Sequence, residues 1–500
     1  MNNSPVVEYF CIVCILAVTA GVSAETEARG PSREPTPLKS ASPPTDSAPA
    51  DNSEEPVESA PGDGVPKSYY FKPKSAATAR MKEPVDYARP LSELLSVESE
   101  PMSWVLFGVE QRTRFEIFDD DYANDLERNT PFLLRSRAFL GVQKVLDPLR
   151  FGVEFQDSRQ FNSISPQSTK DVDENDLLQA YAELYFEDLL GPGEPLSFQF
   201  GRLAVDYVDR RLRSRNGFRN TTNAFDGFRL HLGDMDALWE LDVFAVQPVE
   251  IRTVQPDRSD EEQWFYGVAG AWRGWAPTVT IEPYYFALDV DNKGYNASDV
   301  DLHTFGARFY GDIPNSSLDY DVDAALQYGR NEGLSQRAFA IHSELGYTFS
   351  HSWRPRLAAQ FNYASGDGSP NDGAGNRFDG LFGARHAFYG FTDYFVSENL
   401  IQPALELRFH PDDKTEAGGF YRVIWLASAK DAWVNAGRSD PTGDAGSFVG
   451  QEFDLYLKRQ LTKHFSIEVG YAYFLPGSFV RDTGDAPDSD RFYVQTVFRL

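Results

Sequence analysis

Beyond Cys14 the chain has no cysteine, and its two, Cys11 and Cys14, both lie in the apolar run Phe10–Val22. The remaining sequence therefore has neither a disulfide framework nor a thiolate nucleophile. Long apolar runs are missing too. No stretch after residue 25 approaches the ~18 uncharged apolar residues that a spanning helix needs, which excludes membrane helices. Cationic excess is also absent: 75 acidic residues against 47 basic ones leave a net charge of −28, which excludes electrostatic binding of nucleic acid by the chain as a whole. The seven histidines form no metal-ligand spacing and no serine occupies a nucleophile-elbow motif, so the sequence gives no basis for a metal site, a cofactor or an enzyme. His386 and Tyr389 could suggest the acid and base of a polysaccharide lyase, but side chains three apart on a loop read better as rim packing.

What is abundant is aromatic. Phe 38 and Tyr 24 stand beside Met 4 in a chain of 500 residues whose mean hydropathy is −0.43. Such a balance favours strands. The run Phe10–Val22 leads into Val22, Ser23 and Ala24 and predicts a secretory signal cleaved after Ala24, although residues 1–9 carry no Lys or Arg. Residues 25–66, with nine prolines between Pro31 and Pro66, cannot bury enough surface to fold and are expected to form a disordered tether. Residues 67–103 are read only as an unassigned periplasmic segment.

From Trp104 onward, segments of ten to fifteen residues alternate apolar and polar positions. In 318–328, Leu318, Tyr320, Val322, Ala324, Leu326 and Tyr328 share one phase, and Asp319, Asp321, Asp323, Ala325 and Gln327 the other. Alternation alone does not reveal which phase meets lipid, because soluble sandwiches alternate as well. The connections say more. Eighteen such segments run from 104–118 to 490–500, and the gaps alternate between tight turns (233–236, 273–276, 312–316, 461–463) and long loops (161–175, 207–224, 248–261, 365–397, 428–447). An even strand count with short turns at one end and long loops at the other predicts an all-β, antiparallel transmembrane barrel over 104–500. Phe492, Val494, Thr496, Phe498 and Leu500 alternate up to the carboxyl terminus, resembling the signal read by barrel insertion machinery.

Two stretches carry a family resemblance: GRLAVDYVDRRLRSRNGFRNTTNAFDGFRL (Gly201–Leu230) and ASGDGSPNDGAGNRFDGLFGARHAFYGFTD (Ala364–Asp393). Weaker matches lie at Phe155–Arg159 and Gln179–Leu184. Together they resemble the alginate export family of outer-membrane barrels, with Phe218 standing where that pattern has Trp. The resemblance implies a monomeric 18-stranded barrel in the cell outer membrane that passes an anionic exopolysaccharide. Outer-membrane lipid, the insertion machinery and periplasmic secretion proteins are the other expected partners.

A polyuronate carries one carboxylate per sugar, which the planar guanidinium matches with two parallel hydrogen bonds. After Trp104 there are 31 Arg against 7 Lys. By strand phase, Glu110, Arg112, Arg114 and Glu116 face the lumen from the first strand, and Arg135 and Arg137 from the second. A symmetric connecting loop sets Arg114 opposite Arg135 and Arg112 opposite Arg137. Like charges so placed repel, so either Glu110, Glu116 and Glu154 neutralise them, bracing the wall, or a passing anion does. Arg229, Arg308, Arg356 and Arg408 are further lumen candidates for the substrate path. Arg202 falls on the apolar phase and needs a bulge or a rim position to reach the path. The loop cluster Arg210, Arg211, Arg213, Arg215 and Arg219 would either fold into the mouth as a constriction or form a solvated face. Acidic loops at Asp119, Asp120, Asp121 and Asp125 and at Asp482, Asp485, Asp488 and Asp490 bind divalent cations or keep the surface soluble. Trp104, Trp264, Trp272, Trp353 and Trp433 are expected in interfacial girdles. A general or oligosaccharide-uptake porin is the alternative function.

Overall fold

A computed structural model describes residues 68–75, 80, 85–95, 102–123, 127–291, 299–331, 333–369 and 372–500. The expected signal, the tether and Asp125 lie outside the described residues. Eighteen long strands follow one another: β1 (Val105–Asp119), β2 (Phe132–Val142), β3 (Leu149–Phe161), β4 (Asp173–Gly191), β5 (Glu194–Leu203), β6 (Phe225–Gly233), β7 (Trp239–Glu250), β8 (Gln263–Trp275), β9 (Val279–Val290), β10 (Val300–Asp312), β11 (Leu318–Asn331), β12 (Leu334–Thr348), β13 (Arg356–Ala364), β14 (Leu400–Asp412), β15 (Thr415–Trp425), β16 (Phe448–Gln460), β17 (Phe465–Pro476) and β18 (Ser489–Arg499). Each pairs antiparallel with the next, and β18 closes on β1 from Glu110↔Arg499 to Asp119↔Asp490. The sheet has no free edge, so every strand satisfies its backbone groups from its neighbours.

The two phases of each strand are sorted inside out. On β11 the apolar phase is exposed, with Leu326 64% accessible, while Asp319, Asp321 and Asp323 are buried in the lumen. Phe155, Phe200 and Leu455 are likewise exposed on the outer wall. Apolar residues outside and carboxylates inside suit a hydrocarbon solvent. The even-numbered strands end in tight turns such as 413–414 and 461–464, and most odd-numbered ones end in long loops.

Two long loops, 204–224 and 365–399, fold into the lumen. Tyr207, Val208 and Leu212 from the first and Phe378, Phe388, Tyr394 and Phe395 from the second are buried in one cluster with Phe244, Phe265, Phe286 and Phe474 of the wall. A bridge between Arg213 and Phe382 ties the loops together. Trp433 corrects the girdle expectation. It is 3% exposed, stacks on Phe395 and donates its indole N–H to the Tyr394 carbonyl at 3.0 Å, because its loop folds over the mouth. Trp272 and Trp353 do face outward.

Candidate functional site: the arginine-lined lumen

The register between β1 and β2 differs from the expectation. Arg112 faces Arg135, Glu110 faces Arg137 and Arg114 faces Leu133. The pairing does not stop at the start of β2 but runs on into the loop, where Glu116 N donates to Pro131 O at 3.0 Å and Phe118 bridges Asn129, so the turn is tighter than a symmetric loop would set it. This shift of two positions puts a carboxylate beside the pair of guanidiniums, and Glu110 lies 2.8 Å from Arg135 and 2.9 Å from Arg499.

The four arginines clasp the inward loop. Arg112 donates to the carbonyls of Gly217, Phe218 and Arg219 and to Asn220 Oδ1, each at 2.9 Å. Arg114 donates to Phe218 O at 2.5 Å and Arg135 to Gly217 O and Arg219 O at 3.0 and 3.1 Å. Arg137 bonds Gln156 at 3.0 Å and also Thr222. Five loop residues, Gly217, Phe218, Arg219, Asn220 and Thr222, thus turn carbonyls or polar side chains toward one wall, and the charged donors hold them more firmly than neutral donors would.

The remaining lumen candidates are ion-paired. Arg229 lies 2.5 Å from Asp242, Arg308 pairs with Asp321 at 2.6 Å and Glu282 at 3.0 Å, and Arg356 joins Asp319, Glu344 and Glu406 within 3.0 Å. Arg408 lies 3.2 Å from Glu406. Arg202 sits on the outward phase at the long-loop end, in a two-pronged pair with Asp226 at 2.8 and 2.9 Å. Of the loop cluster, Arg211 pairs with Asp209, Arg213 lies 3.5 Å over the Phe225 ring, Arg215 reaches Glu154 at 3.2 Å, and Arg210 and Arg211 lie over Phe388. The cluster is therefore folded into the mouth and is not a solvated face.

A cavity of about 420 Å³ at the short-turn end is lined by Arg80, Arg150, Arg229, His231 and Glu240 among others. A second, of about 360 Å³, opens at the long-loop end against Arg114, Lys170, Arg219, Arg385, His386 and Arg491. They share no lining residue, and the clasped loop separates them. In the second cavity Arg491 is matched by Glu116 and Asp393, whereas among the described residues Lys170, Arg219 and Arg385 have no ion-pair partner. Burial, with repulsion from Arg385, pushes Arg219 down to about 10 and also lowers Lys170. His386 stacks 3.3 Å from Phe218 and contacts Asp393 at 3.1 Å. Burial lowers its pKa, and Tyr389 is elsewhere in the loop core, so the two form no acid–base pair.

Sequence reasoning passed over Arg491, although its phase, opposite Phe492 and Val494, pointed inward. Lys170 and Arg385 gave no periodic signal because they lie in loops. It also missed Asp173, Asp176 and Asp257, whose carboxylate oxygens lie within 4.8 Å of one another and could in principle hold a cation.

The fold is shared with solved proteins of Pseudomonas aeruginosa, among them the outer membrane protein OprD. OpdQ superposes with a TM-score of 0.53 at 11% identity over 79% of this chain and 98% of its own. OccK8 (OprE) gives 0.53 at 13% over 79% and 98%, and OprD 0.52 at 11% over 79% and 93%. No curated protein sequence matches the chain. Residues 103–494 match the alginate export family; the chain belongs to that family, and its fold is that of an outer-membrane transport channel.

Proposed function

We propose that the protein passes an anionic, alginate-like polyuronate across the outer membrane through its arginine-lined lumen. The observation that carries this reading is the set of unpaired cations Lys170, Arg219 and Arg385 around the cavity at the long-loop end. Lys170 is exposed and Arg219 and Arg385 are half-buried along the wall of this open cavity, so a carboxylate polymer could reach all three and supply the missing partner at each. Deeper in the lumen the ion-paired arginines offer weaker contacts, as passage requires: a site must bind well enough to admit cargo and loosely enough to release it. In this conformation the clasped loop fills the space between the cavities, so transport needs that loop to move.

The test is planar-bilayer recording with the purified barrel. Anion selectivity and block by added oligouronates are expected, both reduced in the Arg219→Gln/Arg385→Gln variant. Cation selectivity with free passage of neutral sugars would favour the general or oligosaccharide-uptake porin instead.

A further inference from the structure

The chain ahead of β1 runs into the periplasmic mouth. Ser68 Oγ donates to Asp236 Oδ1 at 2.9 Å and Tyr69 N to Asp236 O at 2.8 Å, on the turn between β6 and β7. Phe71 stacks on Tyr310 of β10. Lys74 Nζ lies 2.6 Å from Asp312, and the Ser75 hydroxyl bonds Asp321 of β11. Arg80 pairs with Glu240 of β7, the Tyr87 hydroxyl bonds Glu154 of β3, and Arg89 and Pro90 pair antiparallel with Phe107 and Leu106 of β1. Ser75 and Tyr87 are only 6% and 2% exposed.

The positions of these partners matter more than their number. In a ring of eighteen strands, β3 and β11 are eight apart, almost half the circumference. Between those two the described residues also touch β7 and β10, so the segment lines nearly half of the ring and narrows this mouth from the inside. Its partners also remain satisfied without it. Glu240 keeps Arg273 at 2.6 Å, Asp321 keeps Arg308 at 2.6 Å, and Glu154 keeps Arg215 at 3.2 Å. Departure therefore strands no buried charge in the wall, which is the condition for two states of similar energy.

We propose that the segment carrying Ser68–Ser75, Arg80 and Val85–Leu95 is a displaceable plug of the periplasmic mouth that must leave for the channel to open. This rests on the reading of the barrel as a channel. Two measurements on the otherwise intact mature chain separate the two ideas. Cys11 and Cys14 are the only native cysteines, so with both replaced by Ser, Ser75→Cys places a single thiol on the buried face of the seated segment. A charged maleimide should label it slowly, and many times faster once Lys74→Gln and Arg80→Gln are added. In planar bilayers, Lys74→Gln/Arg80→Gln and a deletion of 68–95 should both raise conductance several-fold. Equal labelling with and without Lys74 and Arg80 would show that the segment is not seated, and equal conductance would show that it does not close the channel. Each overturns the plug. Absence of conductance in every variant, with labelling still dependent on Lys74 and Arg80, would remove the channel reading and leave the docked segment standing.

Discussion

Arg112 and Arg135 face each other across β1 and β2 and point their guanidiniums at the same two carbonyls, Gly217 O and Arg219 O, at 2.9–3.1 Å. Two like charges that would repel across an empty lumen are instead joined by the backbone of a loop about a hundred residues away. The ladder of the wall and the constriction of the mouth are thus one structure.

Replacing Arg112 and Arg135 together by Gln should leave insertion intact and release loop 204–224. A buried hydrogen bond to a charged group contributes about 1.5–3 kcal/mol, so loss of several should make the loop sensitive to added protease while the strands stay protected. Unchanged cleavage would mean that the aromatic cluster alone holds the loop.

Glu154→Gln tests the buried charge below the clasp. It removes the counter-charge of Arg215 and one of the two oxygens that accept from Tyr87 and Gln179. Breaking such a buried pair costs about 3–5 kcal/mol. The temperature at which the barrel loses its heat-dependent electrophoretic shift should fall. Glu154→Gln combined with Arg215→Met should recover part of the loss.

Glu398, in loop 365–399, gives a pH dependence. Burial and the neighbouring Asp379 push it up to about 7 against Arg377 and Arg385. A carboxyl whose pKa is raised on folding holds its proton in the native loop, so the stability it gives is full below its ordinary range near 4.5 and is lost as pH rises through about 7. Amide exchange in 365–399 should therefore quicken between about pH 4.5 and 7 beyond the intrinsic rate and level off above that, and Glu398→Gln should abolish the excess.

Gly390 has φ +144°, and a Cβ there would run into the Glu452 carboxylate, which accepts from Phe391 N at 2.7 Å and Thr392 N at 3.1 Å. Gly390→Ala should loosen this anchor and raise conductance through the mouth. Thr392→Val, which removes only the hydroxyl bond at 2.8 Å, should have a smaller effect in the same assay.

On the outer wall, Leu326 and Leu455 lie near the middles of β11 and β16 and are 64% and 61% exposed. Arg at either position should cost about 2–4 kcal/mol in a bilayer, read as a lower yield of folded barrel in vesicles. Arg in place of Val254, a loop residue 65% exposed, should cost little.

Strand phase was legible because successive side chains must point to opposite faces of a strand, whatever surrounds it. That local rule placed Glu110, Arg112, Arg114, Arg135, Arg137, Arg308 and Arg356 inside and left Arg202 on the outward phase. It could not say which residue on one strand meets which on the next, and the Arg112–Arg135 register was missed because the pairing of β1 runs past β2 into the loop as far as Asn129. Nor could it place Trp433, whose position depends on where its loop lies.

The sequence by itself determined the strands, most of the turns between them and the division of each strand into an apolar and a polar phase, because each follows from chain geometry and residue type over a few neighbouring positions. Only the tertiary structure decided that loop 204–224 turns inward, that Arg112 spends its charge on loop carbonyls, and that Lys74, Ser75 and Arg80 dock on the wall at the opposite mouth. Those outcomes depend on ring closure and on compensating buried charges between residues as far apart in the chain as Ser75 and Asp321, 246 positions. No local pattern encodes such a pairing.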